Sequence, residues 1–530
     1  MSFPPPPPPP TPSALALSPP ARPGRIRLWL LLGLACFMLA IFKGIGGYLD
    51  FYEYMGMAEQ LWLHGTLAAP PHRPLDLPES QLVQIDAELG PPPRYYRYPL
   101  GLTVLSGPAV WLGAGLQALS GGLISERIVL ALTIPGMALL AVLLWLRIAT
   151  DPRCGLCLSP RNAVLAAILL VLGTPVLTFT RLFYTEIATV LWALAVLYAW
   201  LRARHAAAAG EPDRRWWLCA GAALTWFTAC HYADVFLAAT LGVAMLLDLA
   251  GTRALSARAR WARAALLMGS GLSGLAFLLI ANRVRFGGAL KFGYANHCFD
   301  GDISLNLVST RVQYLTFYLL RVPWLAFAIG LLIVGRWRRP AALPAPATPV
   351  TADGTGAPTL APIVRGGLAA AFLAQLCFWL TYRSIETFPL RYTLPMAVLG
   401  LPGLGLILHY LERRWPRFGA PTFTLAGAAW GLYCLVYFDC NGLPLISVGD
   451  NFMRPFRDFG AGAGWRCYTW YMHPRPTGVK AALAVLNGNP AGTPMGWIQI
   501  LIPLVLAGAG TAALVYALRL AGRAERSARL

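Results

Sequence analysis

Apolar stretches of about 20 residues recur along almost the whole of this 530-residue chain. An α-helix of that length crosses roughly 30 Å of hydrocarbon, so each stretch predicts a membrane span. Charged residues make up only 12% of the sequence, which is about half of the fraction that soluble domains carry. These features exclude a water-soluble enzyme, a disordered chain, a collagen and a disulfide scaffold. The sequence therefore predicts an all-α polytopic membrane protein.

The basic residues indicate how the chain is threaded. The 43 Lys and Arg residues outnumber the 23 Asp and Glu residues, which in a soluble protein would suggest nucleic-acid binding. In a membrane protein such an excess is expected in the cytoplasmic loops, so no nucleic-acid partner is predicted. Residues 1–27 are rich in proline and end with Arg25 and Arg27, which predicts a disordered cytoplasmic tail before the first span. A cleaved signal peptide is disfavoured, because the apolar run is longer than a signal core.

Whether residues 98–119 cross the membrane decides on which side every later loop lies. This stretch is apolar but contains prolines and glycines, which suit an interfacial or re-entrant helix better than a straight span. Counting it as a span would place the later arginine clusters outside, against the positive-inside rule. With the stretch assigned to the outer interface, both termini are cytoplasmic and about twelve transmembrane helices are predicted. They are 28–49, 126–147, 163–180, 187–201, 216–231, 233–250, 264–282, 312–335, 366–382, 391–411, 419–438 and 496–519.

The two spans predicted between 216 and 250 have an alternative, which is one tilted helix. The polar residues His231, Tyr232 and Asp234 favour a break between two helices. His231 and Asp234 can also be interpreted as a charge-relay or metal pair, but the helix break is the simpler interpretation.

Three segments outside the predicted spans are long enough to form an outer site: 50–125, which holds the interfacial helices, 283–311 and 439–495. Residues 340–364 are instead rich in proline, alanine and threonine and predict a flexible cytoplasmic linker. The outer segments and adjoining helix ends carry basic residues that the positive-inside rule does not explain. Arginine binds phosphate through a planar fork, so an anionic substrate at the outer surface would explain them. They are Arg94, Arg97, Arg181, Arg283, Arg285, Lys291, Arg383, Arg391, Arg454 and Arg457.

The first outer segment opens with a helical pattern. Tyr54, Ala58, Leu61 and Trp62 recur at helical spacing, which predicts an amphipathic helix along the membrane surface. Asp50 lies near the N-terminus of this helix, where the helix dipole favours the carboxylate that a general base needs. Capping of the helix by Asp50 is an equally supported interpretation.

Several motifs follow one another in the order found in one family of membrane enzymes. An acidic stretch, 50–54 (DFYEY), follows the first span, and a basic, aromatic and proline-containing stretch, 96–101 (YRYPLG), opens the interfacial helix. A second acid ends the stretch 180–186 (TRLFYTE), and 283–294 and 391–395 (RYTLP) complete the series. In these motifs the chain resembles the GT-C superfamily of membrane glycosyltransferases. The resemblance is strongest to bacterial relatives of protein O-mannosyltransferases and lipid A aminoarabinose transferases, which are similar to glycosyltransferase family 39.

The resemblance implies a GT-C fold and an inverting glycosyltransferase. A hexosyl or pentosyl group would move from a polyprenyl-phosphate carrier to a hydroxyl of a glycan, lipid or protein at the periplasmic face of the bacterial inner membrane. Asp50 would be the catalytic base, and Glu186 would orient the acceptor or hold a divalent cation together with Asp50; no other cofactor is implied. Arg97 and Arg391 would bind the donor phosphate. Further substrate contacts are assigned to Glu53, Tyr54, Tyr96, Lys291 and Tyr294.

The motifs depart from the family pattern at two positions. Phe51 interrupts the usual Asp-Glu pair, which argues against a two-acid or metal-assisted arrangement at Asp50. Arg97 replaces the usual Lys or His and keeps the positive charge.

Simpler interpretations stand beside these assignments. Glu186 can pair with Arg181, and Arg391 can anchor the end of a span by reaching the interface. For the whole protein, the alternatives are a transporter or flippase of a lipid-linked anion and a non-catalytic scaffold for envelope assembly. A transporter would need ionisable residues near the middle of its spans, whereas those of this sequence cluster at the span ends.

The ten cysteines do not form a metal signature. Cys154 and Cys157 lie in a predicted inner loop without a second pair, so zinc binding and redox chemistry are disfavoured. Cys298, Cys440 and Cys467 face the oxidising side in this topology, where two of them can form a disulfide.

Overall fold

The computed structural model describes residues 23–41, 49–68, 95, 99–122, 124, 126–180, 183–252, 255–290, 319, 321–334, 360–381, 394–435 and 494–529. Regular structure within these ranges is helical, and β-type contact there is limited to an isolated bridge between Ala68 and Tyr95. The helices are α1 (Pro23–Ala40), α2 (Leu49–His64), α3 (Gly101–Leu105), α4 (Gly107–Leu119), α5 (Glu126–Thr150), α6 (Pro160–Leu172), α7 (Val176–Phe179), α8 (Thr185–Ala209), α9 (Arg214–Cys230), α10 (Val235–Gly251), α11 (Ala257–Phe286), α12 (Pro323–Val334), α13 (Pro362–Thr381), α14 (Leu394–Arg414), α15 (Gly419–Cys434) and α16 (Pro494–Arg529).

Six of the described helices are long and apolar enough to cross a membrane: α1, α5, α8, α11, α14 and α16. The shorter helices α6, α10, α12 and α13 are also apolar. Each of the twelve predicted spans overlaps at least one of the described helices. The prediction of an all-α polytopic membrane protein is therefore confirmed.

The first predicted span, 28–49, differs from the structure at both ends. Helix α1 begins at Pro23, inside the predicted tail 1–27, because proline is favoured in the first turn of a helix. It ends at Ala40, and Leu49 begins α2 instead of ending the first span. The sequence between them includes Gly46 and Gly47, which disfavour a continuous helix.

The span predicted at 163–180 is interrupted. Helix α6 ends at Leu172, and the short helix α7 starts at Val176. The Thr174 hydroxyl donates to the Leu170 carbonyl and accepts from the Val176 N–H, at 2.5 and 3.1 Å. Pro175 has no N–H with which to continue the ladder of α6, so the helix ends before it.

Several further predicted segments lie partly outside the described residues, among them the outer segment 283–311, which is described only to residue 290. Within the span predicted at 312–335, α12 begins only at Pro323. Helix α13 begins at Pro362, three positions inside the predicted linker 340–364, of which 340–359 are outside the description. The outer segment 439–495 is described only from Pro494.

The break predicted between two spans near residue 232 is confirmed. Helix α9 ends at Cys230, a 3₁₀ turn covers Tyr232–Asp234, and α10 begins at Val235. A single tilted helix is therefore wrong for this part of the chain. The polar residues of the turn face a buried cluster, which is described below.

Arginines gather at one end of the helix bundle, where ion pairs join successive connections. Arg202 contacts Asp151 at 3.0 Å, and Arg263 contacts Asp213 at 2.5 Å. Arg204 pairs with Asp248. We call this the arginine-rich end, and the sequence predicts that it is cytoplasmic. The opposite end, where α8 and α10 begin and α9 and α11 end, is called the Glu186 end.

The stretch 98–119 forms the two short helices α3 and α4, separated at Ser106. The indole N–H of Trp62 in α2 donates to the carbonyl of Thr103 at 2.8 Å, and the Trp62 ring meets the Trp111 ring edge to face at 5.0 Å. A bidentate ion pair from Arg127 to Glu59, at 2.5 and 2.7 Å, then ties α2 to α5. These contacts hold α2 against α3, α4 and α5.

Small residues allow α9 and α11 to pack closely. A Cβ added at Gly274 would lie 2.6 Å from the Thr225 Cα, and one added at Gly221 would meet the Ser270 side chain. The hydroxyls of Thr225 and Ser273 are 3.0 Å apart across the same contact. Close approach through glycine, serine and threonine is the usual way in which membrane helices associate. This contact fixes the end of α11 beside the end of α9.

We expect alanine at two glycines of α11 to have opposite effects on stability. Gly274→Ala should lower the free energy of unfolding by about 1–3 kcal/mol, because the new methyl group overlaps α9. Gly269→Ala should raise it by about 1 kcal/mol, because nothing lies within 4 Å of the added atom and alanine is the better helix former. Thermal unfolding of the two variants in detergent, followed by a thiol-reactive dye, measures both effects. Equal stability of the variants would contradict the packing described here.

Candidate active site

A cluster of buried or half-buried polar side chains lies at the Glu186 end of the bundle. Its members come from α2, from the start of α8, from the turn between α9 and α10, from the end of α11 and from α13. We call this group the polar cluster: Tyr54, Thr185, Glu186, His231, Tyr232, Asp234, Asn282, Arg285 and Gln375. Polar groups in an apolar interior are costly unless they interact with one another or with a ligand, so such a group is a candidate site.

Glu186 and Tyr54 bring two of the predicted motifs together. Glu186 is 4% exposed and lies in the first turn of α8, where the positive end of the helix dipole favours its carboxylate form. The Tyr54 hydroxyl is 3.5 Å from the Thr185 hydroxyl, directly beside Glu186. Position 50 lies one helical turn before Tyr54 on the same face of α2. The backbone of α2 therefore holds Asp50 one turn away from the residue that contacts Thr185.

The turn between α9 and α10 contributes a hydrogen-bonded group. His231 Nδ1 is 3.4 Å from Asp234 Oδ2, and the Gln375 side-chain amide donates to Asp234 Oδ1 at 3.5 Å. The sequence offered a helix break and a His–Asp pair as alternative interpretations of these residues. The structure contains both, since the break is what allows the pair to form.

Arg285 is a buried cation at the centre of the polar cluster. It is 5% exposed, and it donates to the Tyr232 hydroxyl at 3.2 Å. That hydroxyl donates in turn to Asn282 Oδ1 at 3.0 Å. The guanidinium also lies 4.5 Å from the centre of the Phe286 ring and 3.9 Å from the Met57 sulfur of α2. Arg285 thus joins α2, the α9–α10 turn and α11 at one point.

Sequence reasoning did not select Arg285 as a site residue. The sequence did give a reason to select it, because Arg285 is one of the outer cations that the positive-inside rule leaves unexplained. Arg321 is a second buried guanidinium, 1% exposed and two residues before α12. It was missed because the predicted span 312–335 enclosed it.

The middle of α2 is more deeply buried than its amphipathic spacing predicted. The spacing predicted one buried face, but every residue from Tyr54 to Glu59 is buried. The reason is that α3, α4 and α5 pack on one side of α2 while Arg285 and Thr185 approach from others. Spacing within one helix cannot reveal how many neighbours surround it.

The pair Cys154 and Cys157 has no features of a reactive site. Burial raises the pKa of the Cys154 thiol to about 12, and nearby Asp151 raises it further. Burial also raises the pKa of Cys157 above its usual value, with a smaller contribution from Asp151. Thiols with raised pKa values are poor nucleophiles and poor metal ligands. Within the described residues, no group of three His, Cys, Asp or Glu side chains could hold a metal ion.

The arrangement of the helices is similar to that in solved structures. The crystal structure of ArnT from Cupriavidus metallidurans bound to undecaprenyl phosphate aligns with a TM-score of 0.51 at 13% identity, and the apo crystal structure aligns with a TM-score of 0.51 at 15% identity. Both alignments cover 94% of this chain and 77% of ArnT. The chain has the GT-C fold.

Other comparisons add little to this fold. The GT-C oligosaccharyltransferase AglB from Archaeoglobus fulgidus, in complex with an inhibitory peptide and a dolichol-phosphate, aligns at 15% identity with a TM-score of 0.36. That alignment covers 78% of this chain and 56% of AglB. No protein-family model and no curated protein matches the sequence.

The predicted site residues of this GT-C chain fall into three groups. The side chains of Tyr54 and Glu186 are described and belong to the polar cluster, whereas Asp50 and Glu53 are described only as backbone of α2. The other predicted residues lie outside the described part of the chain: Tyr96, Arg97, Lys291, Tyr294 and Arg391. Arg181 also lies outside it, so the alternative pairing with Glu186 stays a prediction.

The last three residues of the 96–101 motif are described, and they pack beside the polar cluster. Pro99, Leu100 and Gly101 are buried, and a Cβ at Gly101 would meet the backbone of Ala229 and Cys230. These two residues directly precede the α9–α10 turn. Three elements that the motifs single out, namely α2, the end of the 96–101 motif and the start of α8, therefore meet at the polar cluster of the GT-C fold.

Proposed function

We propose that this protein is an inverting glycosyltransferase that moves a sugar from a polyprenyl-phosphate carrier to an acceptor hydroxyl. The observation that carries the proposal is the meeting of α2, the 96–101 motif and the start of α8 at one buried polar cluster in a GT-C fold. The crystal structure of ArnT, which shares the fold, contains undecaprenyl phosphate. That ligand supports a lipid-linked donor for this chain.

The proposed reaction is a single displacement. Asp50 takes the proton of the acceptor hydroxyl as its oxygen attacks the anomeric carbon of the sugar. The bond between that carbon and the phosphate oxygen breaks, its electron pair leaves with the polyprenyl phosphate, and the configuration at the anomeric carbon inverts. Arg97, Arg391 and the buried Arg285 offset the charge that grows on the leaving phosphate. Holding donor and acceptor in line supplies much of the acceleration.

A direct assay tests the reaction. The purified full-length chain is incubated with radiolabelled polyprenyl-phosphate hexoses or pentoses and with glycan, lipid or protein acceptors, with and without a chelator. We expect transfer to one acceptor class. Loss of transfer in the chelator, restored by a divalent cation, would support the cation shared by Asp50 and Glu186. Movement of the intact lipid-linked donor across vesicles without transfer would replace the proposal with the flippase alternative.

The described helices favour the transferase over the flippase. Most charged residues of the predicted spans lie towards the helix ends, as with Arg147 of α5 and Asp248 of α10. Arg321 and the break between α6 and α7 are exceptions. A transporter of a lipid-linked anion would instead present charged or broken helices near the middle of the bilayer.

Glu186 is proposed to orient the acceptor hydroxyl. We expect Glu186→Gln to lower kcat/KM for the acceptor about 10- to 100-fold, which corresponds to one lost charge-assisted hydrogen bond. The KM for the donor should stay unchanged, and so should folding, because glutamine has nearly the same shape. Glu211→Gln, at an exposed acid of the α8–α9 connection, serves as the control. A rise in donor KM with an unchanged acceptor KM would contradict this role.

We also propose that the protein resides in the bacterial inner membrane with its termini in the cytoplasm and the Glu186 end in the periplasm. Cys157 is exposed at the arginine-rich end and allows a test. We expect a membrane-impermeant maleimide to label it in inside-out vesicles and not in intact cells, with Cys157→Ser as the control. Because the pKa of Cys157 is raised, its thiolate fraction is small at neutral pH, so labelling should quicken as the pH rises. Labelling in intact cells would mean that the arginine-rich end faces the periplasm and would contradict the proposed orientation.

A further inference from the structure

A cavity lies at the arginine-rich end, at the opposite end of the bundle from the polar cluster. It has a volume of about 860 Å³ and opens between the start of α6, the end of α14, the start of α15 and the last turns of α16. Cavities of roughly 300–1,000 Å³ are typical of small-molecule sites. The proposed transfer reaction makes no use of this one.

The lining of this cavity is positively charged. Four arginines, Arg161, Arg413, Arg519 and Arg526, face two acids, Glu412 and Glu525, which leaves an excess of two positive charges. Arginine has the donor geometry for phosphate, and basic pockets between transmembrane helices on the cytoplasmic side bind anionic lipid headgroups. The charge of the cavity therefore suits a phosphate-bearing anion.

The cavity arginines have no carboxylate partner among the described residues. Arg202, Arg204 and Arg263 at the same end each pair with an aspartate. No carboxylate of the described residues pairs with Arg413, Arg519 or Arg526. Arg414 and Arg523 also have no such pair, but they do not line the cavity, so position and not pairing distinguishes the cavity arginines.

Two further polar residues of the lining distinguish the cavity from a patch of surface charge. Arg161 is oriented by the carbonyls of Pro416 and Arg417, to which it donates at 3.3 and 3.4 Å. His409 Nε2 is buried in the lining and makes no hydrogen bond to the described part of the chain. A buried nitrogen without a partner is unusual and is satisfied when a ligand fills the cavity.

The apolar part of the lining indicates which anion fits. Leu165 lies one helical turn further into α6 than Arg161, and Val515 lies one turn further into α16 than Arg519. The charged groups therefore stand at the end of the bundle, and the apolar groups lie deeper along the same helices. This arrangement matches an amphiphile, with its phosphate at the surface and a hydrocarbon chain along the helices. A free phosphate ion would leave the apolar part of the cavity unused.

We propose that this cavity binds an anionic phospholipid of the membrane leaflet at the arginine-rich end. Its phosphate contacts Arg413, Arg519 and Arg526, and one acyl chain lies along Leu165 and Val515. The site is separate from the donor site of the proposed reaction, and binding can be measured without any assay of transfer.

Two double variants with the same loss of charge test the proposal. Arg413→Gln with Arg519→Gln removes two arginines that line the cavity, and Arg414→Gln with Arg523→Gln removes two arginines of the same helices that do not line it. All four side chains are exposed, so the two variants differ in position and not in charge. Native mass spectrometry of the delipidated full-length chain in detergent gives the Kd for phosphatidylglycerol, for phosphatidylcholine and, by competition, for inorganic phosphate. Thermal unfolding without lipid verifies that both variants fold.

We expect phosphatidylglycerol to bind more tightly than phosphatidylcholine. The cavity variant should weaken this binding about 30-fold, roughly 5-fold for each guanidinium. The control variant should change it less than about 2-fold, because its two arginines lie outside the site and salt screens their attraction for the headgroup. Equal weakening in the two variants would mean attraction by net charge and would overturn the site. Equal affinity for the two lipids would overturn the role of the anion. Inorganic phosphate binding as tightly as phosphatidylglycerol would overturn the lipid assignment.

Discussion

Replacing Asp50 with asparagine is expected to lower kcat for sugar transfer by about 10²- to 10⁴-fold, the usual contribution of a general base. Asparagine keeps the size of the side chain and its place in the first turn of α2 but cannot accept the proton of the acceptor hydroxyl. The KM of both substrates should therefore change little. The measurement is the initial rate with radiolabelled donor at saturating acceptor, over a range of pH. The rising acid limb of the wild-type profile should be absent in the variant.

Glu211→Gln is the matched control for Asp50→Asn, because it removes an exposed carboxylate at the arginine-rich end. It should retain the wild-type rate. Donor binding and thermal unfolding of Asp50→Asn should match the wild type, since a base acts only during the reaction. If Asp50→Asn turns over at the wild-type rate, Asp50 only caps α2 and is not the catalytic base.

The second large effect is expected at Arg285. Arg285→Gln removes the buried guanidinium that lies between Tyr232 and Met57. If that guanidinium binds the donor phosphate, the variant loses one charge-assisted hydrogen bond of about 1.5–3 kcal/mol. We expect kcat/KM for the donor to fall by about 10- to 150-fold, with an unchanged acceptor KM. Steady-state kinetics with each substrate varied in turn separates the two parameters.

Arg283 provides the control on the same helix. Its side chain is exposed and donates to the carbonyl of Gly287, two residues before Arg285 in α11. Arg283→Gln makes the same change of charge but should leave donor kinetics within a factor of about 2, since exposed charges are screened. Arg285→Lys, which keeps a cation without the planar fork, should recover part of the loss. A fall of the same size in both glutamine variants would contradict a specific role for Arg285.

Most of the fold could be predicted because the bilayer imposes a strong rule on the sequence. Backbone groups in hydrocarbon must bond within their own helix, so apolar stretches of sufficient length become spans. The resemblance of the motifs 50–54, 96–101 and 180–186 then predicted the GT-C fold, which the likeness to ArnT confirms. Even the break at Tyr232 was visible, because polar residues interrupt an apolar run. Helix ends such as Leu172 were less accurate, because a single residue such as Pro175 can stop a helix inside an apolar run.

The candidate site was only half predictable. Glu186 and Tyr54 were found through motifs that lie close to them in the sequence, and the structure places both in the polar cluster. Arg285 and Gln375 were not found, since each joins the cluster through residues more than 50 positions away in the chain. No local pattern reports such a contact.

The amino-acid sequence by itself determined that the chain enters the membrane and which stretches become helices. It also identified the charged residues that the positive-inside rule does not explain. Those properties depend on local composition, because transfer into hydrocarbon acts on each stretch separately. Only the tertiary structure decided which of these residues meet. Packing between α9 and α11, allowed by Gly221 and Gly274, brings Arg285 to Tyr232. Packing of α6, α14 and α16 creates a cavity whose arginines come from distant parts of the chain. Contacts of this kind depend on how helices fit one another in space, and the period of a single helix does not encode that fit.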